Sequence, residues 1–539
     1  MNEENTLVKK HDLKVVHIVF MIYCLCAAGA YGIEAMIPAS GPGLTLVLLM
    51  VIPFVWGLPM ALASVELGSA RPVEGGFYKW IQEALGEFWG FQAGWWKTIA
   101  NYIDSSVYVI LAGTYFALMT GAGATGKYAF QVAIIGLFVI INLRGVQESS
   151  KISLGVGIAV LAIFSLITVV GFINVQQNPF SPFTPPEQST MLSISGGLAI
   201  GIWMYSGYEA MSAVGGEVSN PRIIPKATLL AVPLIAATYI LPTAASLASI
   251  GQWQNWQEGI SGDVVGYGTV LSTYLGNGIW MILFGVIAIM AQCSIYNSWM
   301  TAGTRVLFAM SDDNLAPKFI KKVNKKHGVP YIPVLIMAAV NLILCSFEFT
   351  VVLVIEVLLI IATQILLFIT MLVMRKKMPD SERPIKIPGP KFFISIFFSV
   401  PVIVGVLAYL LNGTDYFMGG LIGICTGPVA YFIFKRKYGG LHKTDPDNHP
   451  LNPATGLARG DMYRISHFFL VVCVLAILGS AFLPWYEGSW GPEYYLDTYG
   501  TDVFGTFLAV IRGFAAGGAV LFVIFRIIAG KTEKRKEGN

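Results

Sequence analysis

The sequence predicts an all-α integral membrane protein of about fourteen spans, built as two inverted five-helix repeats followed by further helices. Three observations predict it. The 539 residues are 55% hydrophobic and only 12% charged, with a mean hydropathy of +0.66, whereas a soluble domain carries about 25% charge. Apolar stretches of about 20 residues, the length a bilayer requires, recur along the whole chain. Two of these stretches, five spans apart, are interrupted by glycine and followed by a carboxylate. Paired interruptions of this kind are the sequence mark of an inverted-repeat transporter.

The expected spans are 15–39, 44–69, 89–119, 128–143, 152–175, 191–217, 226–250, 273–300, 331–347, 349–374, 393–412, 416–434, 464–484 and 503–529. They divide the chain into a tail (1–14), a first repeat (15–175), a second repeat (191–374), a helix pair (393–434), a linker (435–463), a last pair (464–529) and a second tail (530–539). With the N-terminus inside, the cytoplasmic segments hold Lys9, Lys10, Lys14, Arg71, Lys79, Arg144, Lys151, Arg222, Lys226 and the "KFIKKVNKKHG" cluster. The outer loops hold only Lys127, and 176–190, 251–272 and 485–502 contain no Lys or Arg. This asymmetry predicts a multi-pass protein of the cytoplasmic membrane with both termini in the cytoplasm.

Several other classes are excluded on the same reading. The six cysteines all lie in apolar runs without CxxC spacing, which predicts buried thiols rather than a metal or redox site. The stretch "GAGATGKY" (121–128) nearly spells a phosphate-binding loop, but Tyr128 stands where the magnesium-binding hydroxyl is required. The net charge of +4 carries no argument for a nucleic-acid partner. No convergent catalytic set or cofactor motif is present, so neither an enzyme nor a cofactor is expected. Rings of like charge, the mark of a channel filter, are also missing.

The first interruption is "GAYGIE": Gly29, Ala30, Tyr31 and Gly32, then Ile33 and Glu34. Within a bilayer, irregular backbone is tolerated only where protein or a cavity surrounds it. A break therefore predicts a lined cavity, with freed N–H groups facing an anion and freed carbonyls a cation. The second interruption is "YSGYE": Tyr205, Ser206, Gly207, Tyr208 and Glu209. Four acids stand within or near spans, namely Glu34, Asp104, Glu209 and Glu356. An acid at a helix centre costs about 2.5–3.5 kcal/mol on insertion scales, so each predicts a partner or a function. Glu34, just past the first break, is expected to hold an amino group or a proton. Asp104 lies mid-span, and Arg512 is a candidate partner for it.

The ordered stretches "GAYGIE", "VELGSARPVEGGFYKWI", "EFWGFQAGWWK", "GGEVSNPRIIPKA" and "WMTAGTRVLFAMSDDNLAPKFIKKVNKKHGVPYIPV" resemble the amino acid–polyamine–organocation transporter superfamily over roughly residues 15–435. The first break is similar to the "GPFGIE" of its polyamine-uptake-like branch. The resemblance implies a LeuT-type five-plus-five fold with broken helices 1 and 6, working by alternating access. It implies aromatic gate roles for Trp203 and Trp299, a coupling role for Glu209, and an inner-gate role for Glu66.

The substrate expectation is an amino acid, cationic ones included, because Ala30 keeps an N–H that the branch's proline lacks. A polyamine is the alternative, as is a non-transporting sensor of the same fold. The expected order of coupling is proton, exchange, then sodium. The lysine that many relatives carry in span five is missing near Val160, while Ser294 and Ser298 offer sodium-type oxygens. The oligomeric state and the roles of the last two spans are not legible.

Overall fold

In a computed structural model of the chain, residues 14–27, 29–73, 75–144, 149–209, 220, 223–256, 266–276, 278–324, 329–378 and 383–533 are described. The second half of the sixth expected span (210–217), most of the "GGEVSNPRIIPKA" stretch, and the tails 1–13 and 534–539 lie outside them. Among the described residues the architecture is all-helical. Eleven helices are long and apolar enough to cross a membrane. Three shorter apolar helices, Val15–Cys26, Thr190–Met204 and Tyr331–Leu344, stand at three further expected positions.

The helices are α1 (Val15–Cys26), α2 (Ile33–Ser40), α3 (Pro42–Ala70), α4 (Phe77–Leu85), α5 (Glu87–Thr120), α6 (Ala124–Arg144), α7 (Ser149–Ile173), α8 (Thr190–Met204) and α9 (Ile223–Ser249). They continue with α10 (Tyr267–Leu275), α11 (Ile279–Asp312), α12 (Tyr331–Leu344), α13 (Phe349–Lys377), α14 (Lys391–Leu411), α15 (Thr414–Tyr438), α16 (Asp461–Tyr486), α17 (Gly491–Tyr499) and α18 (Phe504–Thr532). The eighth expected span begins later than its apolar pattern suggests. Gly276, in the left-handed region at φ +67°, closes α10 as a separate helix, and α11 then runs on to Asp312.

The first break divides α1 from α2 as the glycines predict. Gly32 caps α2 at φ +93°, a conformation that an L side chain rarely adopts. The end of α8 shows the second break, where Gly207 takes φ +105°. A Cβ on Gly207 would lie 3.2 Å from Cys26 Sγ, so the two breaks pack against one another. The Tyr239 hydroxyl of α9 lies 3.1 Å from Cys26 O and 3.0 Å from Met204 O. One phenol thus serves the carbonyl ends of both half-helices, where the intrahelical ladder has stopped.

Helix α3 passes this crossing with a single π turn, Pro53–Gly57. Proline has no N–H to donate, which loosens the ladder at its own position. A Cβ on Gly57 would stand 3.4 Å from both Tyr205 and Tyr208.

Helix α5 is the hub. It packs against α4, α6, α11, α12, α13 and α15, and most of its length is buried. Its first residue, Glu87, is fixed by several contacts. The Glu87 carboxylate lies 2.5 Å from Lys435 Nζ and accepts from Tyr431 Oη at 2.9 Å and Leu441 N at 2.9 Å. Tyr431 also meets Asp461, which Arg464 holds at 2.7 Å. This chain of buried charge ties α5 to α15 and α16. Helices α16 and α18 pack mainly on one another and on α15, and α18 turns Val510, Val520, Val523 and Ile527 outward.

Removing one partner of a buried ion pair costs about 3–5 kcal/mol, because the other charge is stranded. Lys435→Met is therefore expected to lower the apparent melting temperature in detergent well below that of the wild type. Pairing it with Glu87→Gln is expected to recover much of the loss. A double variant no more stable than Lys435→Met would show that the ion pair is not what holds this end together.

Candidate functional site

Four side chains of α5 follow each other at spacings that keep them on one face of a helix: Lys97, Asp104, Tyr108 and Tyr115. Each meets a group from a broken helix or its neighbour. Tyr115 Oη donates to Glu34 Oε1 at 3.3 Å, while Gly32 N donates to Glu34 Oε2 at 2.9 Å. Glu34 is thus bound to the break that precedes it, in the first turn of α2, where the helix dipole favours negative charge. Trp203 Nε1 donates to Asp104 Oδ1 at 2.9 Å, and Tyr108 Oη approaches Oδ2 at 3.3 Å. The Trp203 ring stacks on Tyr108 at 5.8 Å and meets Phe349 edge-on at 5.8 Å. A Cβ on Gly32 would lie 3.1 Å from Trp203, so the glycine lets the first break approach that ring closely.

One turn-pair below, Lys97 Nζ stands 2.7 Å from Glu209 Oε1, both side chains 3% exposed. The ammonium also lies 5.4 Å from the centre of the Trp299 ring. Lys97, Asn101, Glu209 and Trp299 line a cavity of about 10 Å³, room for about one water. Glu356 of α13 is fully buried, and among the described residues neither of its carboxyl oxygens has a hydrogen-bond partner. It lies within electrostatic reach of Asp104, Lys97 and Glu209.

The structure therefore brings together Gly32, Glu34, Asp104, Trp203, Glu209 and Trp299. The other expected residues are placed differently. Tyr31 is packed among Tyr115, Phe164 and Phe284, at ring separations of 5.1–5.6 Å. Gly29, at φ +109°, leaves room for the Tyr31 and Phe164 rings. Ala30 is buried within the break. Tyr205 Oη donates to Leu49 O at 2.8 Å and its ring packs on Tyr239. Ser206 Oγ donates to Ile202 O at 2.6 Å and accepts from Trp56 Nε1 at 3.2 Å. Both side chains thus brace the second break, and Gly207 supplies the contact with the first. Ser298 Oγ donates back to Ser294 O at 2.9 Å, within its own helix, and Ser294 faces Cys24. Arg512 is exposed on α18, and Asp104 takes Trp203 and Tyr108 as its partners instead.

Glu66 sits near the C-terminal end of α3. It accepts from Arg375 Nε at 2.9 Å, Arg383 Nη1 at 2.7 Å and Ile387 N at 2.8 Å. Its two oxygens thereby pin the end of α13 and the segment after it. Beside it, Asp313 accepts from Tyr78 Oη at 2.7 Å and Lys79 Nζ at 2.5 Å, joining α4 to the end of α11.

Sequence reasoning missed Lys97, Tyr108, Tyr115 and Tyr239. The first three carried a signal in their spacing from Asp104 along one helix. Tyr239 carried none, because its role depends on where two other helices end.

Comparison with known proteins bears on this site. A family model described as amino acid permease matches residues 13–418. A probable polyamine transporter of Arabidopsis thaliana is 29% identical over 389 residues, covering 70% of this chain and 75% of its own. The polyamine transporter RMV1 of the same plant is 28% identical over 413 residues, covering 74% and 81%. The branched-chain amino acid permease BcaP of Bacillus subtilis (strain 168) is 26% identical over 453 residues, covering 75% and 88%.

The Trp203–Asp104 hydrogen bond can be tested without disturbing the stack. Trp203→Phe keeps an aromatic ring against Tyr108 but removes the N–H. Hydrogen bonds to charged groups contribute about 1.5–3 kcal/mol. Substrate affinity measured by binding is expected to fall by roughly ten- to a hundredfold. An unchanged affinity would show that Asp104 does not need this donor.

Proposed function

The chain belongs to the amino acid permease family and is a secondary transporter, and from that premise we propose that its substrate is a small organic cation bearing amines. The observation that carries this reading is Glu356. A fully buried carboxyl with neither oxygen bonded has an uncompensated desolvation cost unless a cation or a proton completes it. Glu356 lies near Asp104 and Glu209, and the only cation among these groups in the described residues is Lys97. An ammonium entering between Asp104 and Glu356 would answer both carboxylates, with Trp203 as a lid whose π face also favours a cation. Polyamines fit this charge pattern, and the relatives named above include a polyamine transporter and a probable polyamine transporter.

A second reading is a cationic amino acid. Ala30 is fully buried, and its N–H has no partner among the described residues. That donor suits an α-carboxylate at the first break.

Transport follows alternating access in a five-plus-five inverted repeat within fourteen spans, with both termini in the cytoplasm of the cell. Glu66 with Arg375 and Arg383 forms the inner gate in this reading, since opening the cytoplasmic side requires α3 and the end of α13 to separate. Glu34 carries the coupling proton. It is hydrogen-bonded to the break itself, so a change in its protonation acts directly on the backbone that shapes the site. A carboxylate accepts from both Gly32 N–H and Tyr115 Oη, and protonation weakens this pattern by removing the charge and adding an O–H donor. Sodium is disfavoured because Ser298 is turned into its own helix and Tyr239 serves the freed carbonyls.

Uptake into proteoliposomes tests these assignments. Labelled putrescine, spermidine, lysine and leucine are compared at fixed pH. Saturable uptake of the amines, lost by at least tenfold in affinity in Glu356→Gln, is the expected result. Saturable uptake of leucine alone would overturn the cation reading. In Glu34→Gln, substrate exchange is expected to persist while a pH gradient no longer drives accumulation. Accumulation that still follows the gradient would remove Glu34 from coupling.

A further inference from the structure

A second cavity, of about 290 Å³, opens away from the site described above. It lies between the start of α8, the turn from α14 to α15, and the end of α16 with the beginning of α17. The charge asymmetry of the loops puts this end of the molecule outside the cell. Its walls include Asp415, Ser195, Tyr486, Trp490 and Tyr494. Residues 461–502, which supply the aromatic wall, lie beyond the segment matched by the family model.

The polar group in this cavity is an acid without a counter-charge. Asp415 Oδ1 accepts from Tyr416 N at 2.8 Å, and Oδ2 from Tyr499 Oη at 2.9 Å and Tyr494 Oη at 3.2 Å. Neutral donors fix the carboxylate in place, and among the described residues no Lys or Arg pairs with it. The neighbouring loops 176–190 and 485–502 contain no Lys or Arg that could reach it. Behind it Glu487 is buried and accepts from Thr414 N at 2.6 Å, Thr414 Oγ1 at 2.6 Å and Tyr495 Oη at 3.0 Å. The local field is therefore doubly negative.

The wall around Asp415 is aromatic. Trp490 meets Tyr486 edge-on at 5.5 Å and Tyr494 edge-on at 5.7 Å. The Tyr486 residue is 7% exposed, and its buried hydroxyl makes no well-formed hydrogen bond among the described residues, with the Ser195 hydroxyl its nearest polar neighbour. The neighbouring Ser195 hydroxyl donates instead to Leu411 O at 2.5 Å. A buried hydroxyl so weakly satisfied, on the wall of a cavity, can turn to a ligand's polar group.

Carboxylate, aromatic faces and a phenol hydroxyl together recognise an organic ammonium. They do not suit a divalent metal, which wants several oxygen ligands from charged or carbonyl groups. Among the described residues no cluster of three metal-ligating side chains occurs. We propose that this cavity is a second amine site on the outer face, taking the ammonium of an alkylamine independently of the central site. Asp415 is its anion, and Trp490 and Tyr494 are its cation-holding rings.

Equilibrium dialysis of the purified full chain with labelled putrescine tests this. Asp415→Asn keeps the hydrogen-bond acceptor for Tyr499 but removes the charge. It is expected to lose one equivalent of bound putrescine relative to the wild type, leaving any central equivalent unchanged. Trp490→Leu keeps apolar bulk and removes the ring, and is expected to weaken the same equivalent by roughly tenfold. Unchanged stoichiometry and affinity in both variants would overturn the proposal. Glu356→Gln separates the two sites. A wild type with a single equivalent that vanishes in Asp415→Asn, and survives in Glu356→Gln, supports the outer site while contradicting the central one.

Discussion

The arrangement of the core depends on keeping four carboxylates out of water. Glu34, Asp104, Glu209 and Glu356 are each at most 2% exposed. Each buried charge demands a cation, a set of donors, or a proton. The chain meets three of these demands itself, and it does so mostly from one helix. Helix α5 sends Tyr115 to Glu34, Tyr108 to Asp104 and Lys97 to Glu209. Among the described residues, Glu356 is left without a hydrogen-bond partner. The position and burial of α5 follow from this duty as much as from its apolar content.

The broken helices are stabilised by specific contacts rather than left open. Gly32 and Gly207 provide the positive φ that ends or starts a half-helix, and both let a neighbour come close. The freed carbonyls of Cys26 and Met204 share the Tyr239 hydroxyl. The ring of Tyr205 supports Tyr239, and Ser206 is bound by Trp56. Several residues that look like substrate contacts in the sequence therefore hold the crossing together. What remains facing the interior is a set of acids and rings, which is the surface an amine requires.

Much of the architecture was legible because the bilayer imposes length, apolarity and charge asymmetry on every span. The break at "GAYGIE" was legible from its glycines. So was the need of Glu34 and Asp104 for hydrogen-bond partners, since an acid in an apolar span is too costly to keep bare. The partners were not legible. Trp203 reaching Asp104 and Lys97 reaching Glu209 depend on how helices distant in sequence cross, and no local pattern encodes that. Arg512 seemed a candidate for Asp104 by charge alone, yet α18 lies at the periphery. The boundary between α10 and α11 was missed because an apolar run does not report a left-handed glycine at position 276. The aromatic and acidic lining of the outer cavity was hidden for a similar reason, being assembled from three separate turns.

In the proposed reading, the buried acids select for positive charge in the substrate. A ligand series of constant length isolates that term: 1,4-diaminobutane, 4-amino-1-butanol and 1,4-butanediol, with affinity measured on purified Asp415→Asn so that only the central site reports. If the acids are the recognition elements, each ammonium replaced by a hydroxyl lowers affinity by at least tenfold, about 1.4 kcal/mol per step. Butanediol or leucine binding as tightly as diaminobutane would contradict the account, because a neutral ligand cannot answer Asp104 and Glu356.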